Sequence, residues 1–156
     1  MHETDTAFPI LIVDDDAGHI ELIRRNLRRL AISNPIDTLQ EGASALDYLF
    51  RRGRFSERTS GTPLTLLDIN MPGAINGIEV LRQIKSHEQT RKIPVIMLST
   101  SDDPREIACC YDLGCSVYMA KPVDPNLFIE SIKRLGLFLQ VIRLAKVEEE
   151  HERCTA

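Results

Sequence analysis

LTLLDINMPG, residues 64–73, is an apolar run of strand length that stops at a carboxylate and breaks at once into a turn. Open α/β sheets bind ligands beyond the carboxyl ends of their strands, so this run puts Asp68 where a ligand would sit. Three other runs repeat the design. Ile10 to Val13 leads into Asp14, Asp15 and Asp16, Val95 to Leu98 into Ser99 and Thr100, and Val117 to Ala120 into Lys121-Pro122. Side by side, these strands bring an acid cluster, a lone acid, a hydroxyl and an amine to one small polar site.

Helical patterns separate the strands. Ile20, Ile23, Leu27 and Leu30 recur at helical spacing and predict a helix over about 17–31. Its outer face carries Arg24, Arg25, Arg28 and Arg29, read as a solvated face in preference to a binding patch. Pro35 to Leu39 is a short second strand, and Ala43, Leu46, Leu49 and Phe50 mark a second helix. RRGRFSERTSGTP, residues 51–63, is a basic, polar break that reads as an exposed loop. Ile78, Leu81 and Ile84 mark a third helix beginning after Asn76-Gly77. A fourth, over 103–113, closes on Gly114. Asp124 offers an N-cap with Pro125 at the first helical position, and the last helix runs on past Gly136. Five strand–helix units predict an α/β fold: a five-stranded parallel sheet with helices on both faces and right-handed crossovers.

Composition narrows the function classes. The 156 residues suffice for one self-contained core. A net charge of −4 gives no broad basic field, so no nucleic-acid partner is expected. Cys109, Cys110, Cys115 and Cys154 show neither metal-type spacing nor a secretory framework and are expected to be free thiols. The N-terminus lacks the regions of a signal peptide, and no apolar stretch approaches spanning length. The expected location is cytoplasmic, with no membrane association. Residues 1–7 are expected to fray.

The strand ends suggest their own chemistry. Clustered carboxylates hold protons, find cations or bind a metal, and hard oxygen ligands without nearby His or Cys favour Mg²⁺ over zinc. Asp16, just before AGHIELI, can serve as a helix cap, which leaves Asp14 and Asp15 to explain. An aspartate beside Mg²⁺ is a reasonable nucleophile toward phosphorus once the incoming charge is neutralised. Lys121 would add a second positive charge and Ser99 a hydrogen-bond donor to a phosphoryl oxygen.

ILIVDDD, LLDINMPG, PVIMLST and VYMAKPVD together resemble the receiver domain of two-component response regulators, over roughly residues 8–138. The resemblance implies a flavodoxin-like sheet of order 2-1-3-4-5 and a cis Lys121–Pro122 bond. It makes Asp68 the phosphoacceptor. Asp15 and Asp68 become Mg²⁺ ligands with the Asn70 backbone carbonyl, and Asp14 acts through water. Ser99 and Lys121 become the phosphoryl-binding pair, and Tyr118 the switch aromatic. It also implies a sensor histidine kinase as donor and a downstream phosphotransfer protein as a further candidate partner. The chain would be a phosphoacceptor that catalyses only its own phosphotransfer and dephosphorylation. Two departures stand out. DINMPGAING is one residue longer than the usual spacing to the glycine that opens the third helix. Thr100 stands where the family usually has Ala or Gly, and would narrow access to Asp68.

No output module fits after residue 138, so a stand-alone regulator is expected. The long loop and the GLFLQVIRL segment resemble regulators that partner bacterial phytochromes. Residues 139–156 are expected to extend the last helix as a dimerisation arm. Phe128, Ile132, Leu135, Leu139 and Ile142 already supply the stripe that one helix can bury. Phe138, Val141 and Leu144 are left on an adjacent face, which predicts a symmetric homodimer. Three competing readings fit less well. An aspartate-nucleophile phosphatase needs a general acid where Asn70 stands, and a flavin site needs a phosphate-cradling loop where three carboxylates stand. A phosphorylation-independent pseudo-receiver would have no need of the complete residue set.

Overall fold

The computed structural model describes residues 8–142. β1 (Ile10–Val13), β2 (Ile36–Leu39), β3 (Leu64–Asp68), β4 (Val95–Ser99) and β5 (Val117–Ala120) form one parallel sheet of order β2-β1-β3-β4-β5. The helices between and after them are α1 (Ala17–Arg29), α2 (Gly42–Leu49), α3 (Gly77–Lys85), α4 (Pro104–Leu113) and α5 (Pro125–Val141). This is the expected doubly wound fold, with strand order reversing at β1 and β3, where such sheets open a crevice.

The three central strands, β1, β3 and β4, are buried along their whole length, and alternate residues feed two cores. Leu11, Val13, Leu67, Val95 and Met97 pack with α2, α3 and α4. Ile10, Ile12, Leu66, Ile96 and Leu98 pack with α1 and α5. The α5 stripe is the expected one: Phe128, Ile132, Leu135 and Leu139 are buried, and Ile142 packs against them in part. Gly136 brings α5 close to α1, since a Cβ there would meet Leu30, and Gln140 Nε2 donates to the Leu30 carbonyl at 2.9 Å.

Caps set the helix boundaries. Asp16 accepts from Gly18 and His19 N–H groups, Asn76 from Glu79 N–H, Asp103 from Arg105 N–H, and Asp124 from Asn126 and Leu127 N–H groups. Gly114, at φ 105°, ends α4 in the left-handed conformation that a Cβ would oppose. Ile142 is already extended, so the described part of α5 passes residue 138 by three residues only. The expected arm beyond it, with Leu144, and the N-terminal residues 1–7 lie outside the described residues.

The segment 51–63 is largely exposed, as expected, and it is braced by its own arginines. It contains a single 3₁₀ turn, Gly53–Phe55. The Arg58 guanidinium lies over the Tyr48 ring at 4.1 Å and donates to the Tyr48 carbonyl and to Ser60. Arg51 donates to the carbonyls of Arg58 and Ser60. The arginines that made the stretch look solvated are its staples.

The expected cis bond is corrected: Lys121–Pro122 is trans, as is every described peptide bond. The trans isomer is the intrinsically favoured one even before proline. With it in place, Lys121 N–H still reaches the Ser99 carbonyl at 2.7 Å and the ammonium still reaches the strand ends. Cys109, Cys110 and Cys115 are free thiols, as expected, and Cys154 lies outside the described residues. No described helix is long and apolar enough to cross a membrane.

Candidate functional site

The four strand ends meet as the sequence predicts. Asp14 follows β1 and is fully buried; Asp68 closes β3 and is 4% exposed; Ser99 closes β4 and is fully buried; Lys121 follows β5 and is 5% exposed. Buried charge of this density is costly unless paired. The pairing is visible: Lys121 Nζ lies 2.5 Å from Asp14 Oδ2 and 3.7 Å from Asp68 Oδ1. The other Asp14 oxygen accepts the Asp16 N–H at 2.9 Å.

One ammonium does not balance three acids. One carboxylate oxygen each from buried Asp14, exposed Asp15 and buried Asp68 lie within 4.8 Å of one another. The Asp68 carboxyl is accordingly pushed up to about 7, first by burial and then by Asp14 and Asp15, against the opposing pull of Lys121 and an Asn70 backbone hydrogen bond. Asp16 stands apart from this cluster as the α1 cap. Its exposed carboxyl is held below the usual range, chiefly by the His19 N–H. Three hard oxygen donors converging under a charge deficit suit a divalent cation such as Mg²⁺. The donor set therefore fits a hard divalent cation.

Gly77 makes the approach to this site feasible. A Cβ on Gly77 would lie 2.2 Å from the Asp68 carbonyl oxygen and 2.7 Å from Ile69 Cα. Only a glycine lets α3 start directly against the end of β3, with Gly77 N–H donating to the Ile69 carbonyl at 3.0 Å. The extra residue in DINMPGAING is thus absorbed before the helix, and Asn76 still caps it. Asn70 and Thr100 are both exposed at the rim.

The hydroxyls form a second cluster beside the acids. Ser99 Oγ donates to Glu106 Oε1 at 3.0 Å and accepts the Ser101 N–H at 3.0 Å. The Tyr118 hydroxyl lies 2.8 Å from the same Glu106 oxygen and 2.8 Å from the Ser101 carbonyl. The ring is half-buried, and the phenol is pushed up to about 12, first by burial, so it remains a donor at neutral pH. Phe138 and Val141 are exposed on α5, as their spacing predicted.

Sequence reasoning missed two neighbours of the site. Glu106 is the third residue of α4, a place where an acid needs no further explanation than the helix dipole. His19 lies three residues after the Asp16 cap. Its Nδ1 is buried without a hydrogen-bond partner, 3.9 Å from Asp14 Oδ2, and its ring stacks at 5.4 Å from Phe128.

The fold and site define a doubly wound α/β domain whose strand ends carry an acid triad, a lysine and a hydroxyl. The response regulator receiver domain model matches residues 10–133, and the chain belongs to that family. Three solved structures show the likeness over most of their length. The response regulator receiver domain from Rhodospirillum rubrum is 43% identical with a TM-score of 0.80, covering 88% of this chain and 97% of that one. The Mn²⁺-bound form of response regulator Rcp1, a Synechocystis protein, is 26% identical with a TM-score of 0.82, covering 88% and 99%. The phosphorylated cyanobacterial phytochrome response regulator RcpA is 30% identical with a TM-score of 0.78, covering 86% and 94%.

Proposed function

We propose that this chain is a phosphorylation-operated switch in which Asp68 accepts a phosphoryl group from a sensor histidine kinase. The observation that carries the reading is the position of Asp68: buried at the end of β3, facing Asp14 and Asp15, with Lys121 Nζ 3.7 Å away. An Asp68 carboxylate oxygen attacks the phosphorus of a phosphohistidine. An O–P bond forms, the P–N bond breaks, and the imidazole keeps the electron pair and takes up a proton. Asp15, Asp68 and the Asn70 backbone carbonyl would hold Mg²⁺, with Asp14 acting through water. When bound, the ion supplies positive charge to the transferring oxygens. Lys121 adds a fixed charge on the opposite side. That Rcp1 is known in a Mn²⁺-bound form supports divalent-ion binding by this chain.

The attached phosphoryl group draws the Ser99 hydroxyl toward it, and Tyr118 repositions as Ser99 leaves, changing the α4–β5 surface that partners read. The chain acts as a switch and not as an enzyme on an outside substrate. The likeness to RcpA, a phytochrome response regulator, supports a phytochrome as the kinase, with a phosphotransfer protein as a candidate recipient. Phe138 and Val141, exposed on α5, form a two-fold contact between copies.

A panel of autophosphorylated histidine kinases, phytochromes among them, tests the reading. The expected result is rapid transfer to Asp68 from a phytochrome kinase and none to the Asp68→Asn protein. Transfer that is equally slow from every kinase would contradict the phytochrome pairing, and transfer that survives Asp68→Asn would contradict the acceptor.

A further inference from the structure

The hydroxyls of Ser99 and Tyr118 both reach one carboxylate oxygen. Glu106 Oε1 lies 3.0 Å from Ser99 Oγ and 2.8 Å from the Tyr118 hydroxyl. The serine is fully buried and its backbone carbonyl is held by Lys121 N–H at 2.7 Å, so its side chain has little freedom except rotation about χ1. A hydroxyl carries a single proton. Ser99 can donate it to Glu106 or to a group on Asp68, never to both.

We infer that Glu106 is the positioning residue that holds the switch at rest, by competing with the Asp68 phosphoryl group for the Ser99 proton. The inference rests on the proposed phosphoacceptor role of Asp68. Glu106 belongs to α4 and Ser99 to β4, so the contact ties the helix to the strand end. Because the Tyr118 hydroxyl of β5 lies 2.8 Å from both that oxygen and the Ser101 carbonyl, its proton is shared between them, and loss of Ser99 from Glu106 frees the carboxylate to take it. One carboxylate thereby couples the chemistry at β3 to the α4–β5 surface. Position also suits it: Glu106 is the acid in the first turn of α4, where the helix dipole favours an anion without drawing on Ser99.

Competition makes a prediction opposite to that of a purely structural contact. Removing a structural contact weakens the site, whereas removing a competitor strengthens it. Beryllofluoride, which mimics the phosphoryl group on an aspartate, serves as the probe in the presence of Mg²⁺. Glu106→Ala should bind it about tenfold more tightly than the unmodified chain, and acetyl phosphate should label it faster. Glu106→Gln keeps an acceptor oxygen but no charge, and should fall between the two. In the Ser99→Ala background, Glu106→Ala should bring no gain, because there is no proton to release.

Equal or weaker beryllofluoride binding by both Glu106 variants, in a chain that does bind it, overturns the inference and leaves the Asp68 reading standing. A tenfold gain that persists without the Ser99 hydroxyl also overturns it. No beryllofluoride binding and no labelling by the unmodified chain overturns the Asp68 reading, and the role of Glu106 with it.

Discussion

Lys121 Nζ stands 2.5 Å from Asp14 Oδ2, joining residues 107 positions apart with both side chains almost wholly buried. This pair closes the site by tying the end of β5 to the end of β1 across two intervening strands. Without it, Asp14, Asp15 and Asp68 would face one another with no lysine or arginine among the described ion pairs to balance them. Replacing Lys121 by Met should therefore cost about 3–5 kcal/mol in metal-free buffer, the range for stripping one partner from a buried ion pair. Urea unfolding would measure it, and saturating Mg²⁺ should recover part of the loss by mass action.

The same crowding predicts an unusual pH dependence. The Asp68 carboxyl is raised to about 7, first by burial, whereas an unfolded chain releases that proton near pH 4. Between those values the folded state holds more protons than the unfolded one, so stability falls as pH rises through this window. The contribution of Asp68 is fully present below pH 4 and lost above 7. Asp68→Asn should remove this slope, melting above the unmodified chain at pH 8 and level with it at pH 4 in metal-free thermal scans. Parallel curves for the two proteins would contradict the assignment.

Gly77 should tolerate no side chain. A Cβ there must displace the Asp68 carbonyl, which it would approach to 2.2 Å. Gly77→Ala is expected to cost about 1–3 kcal/mol through overpacking and to weaken Mg²⁺ binding by shifting the end of β3. Gly61→Ala, with nothing within 4 Å, is the control and should change neither. Calorimetric titration with Mg²⁺ on both variants distinguishes a local disturbance of the site from a general loss of stability.

The exposed face of α5 supplies a test of assembly. Phe138 and Val141 are 45% and 72% exposed, on a helix whose buried stripe is already complete. Each large side chain buried in a two-fold contact contributes roughly 1.5–3 kcal/mol. Phe138→Asp with Val141→Asp should give a folded monomer where the unmodified chain is a dimer by light scattering. A monomeric unmodified chain at high micromolar concentration, with or without phosphodonor, would contradict the contact.

Much of this site was legible because strand ends are fixed by pattern. Apolar runs that stop at Asp14, Asp68, Ser99 and Lys121 leave little choice of where the polar group emerges, and the alternation of strands and helices orders them. Asp16 and Asp124 announced their helices because caps are local. Glu106 stayed hidden because its role depends on two partners from other elements, and an acid in a first helical turn has a sufficient local reason. The staples of 51–63 were hidden likewise, since Arg58 over Tyr48 is a tertiary contact in a stretch whose composition reads as solvated. The Lys121–Pro122 isomer was expected from family likeness and not from any local signal, and it is the expectation that the structure reverses.

The central claim is that Asp68 is the residue that carries the phosphoryl group. Intact-mass analysis after incubation with acetyl phosphate, with and without Mg²⁺, tests it most directly. The account predicts one added phosphoryl group on the unmodified chain only when Mg²⁺ is present, almost none on Asp15→Ala, and none on Asp68→Asn. Full labelling of the Asp68→Asn protein would contradict it.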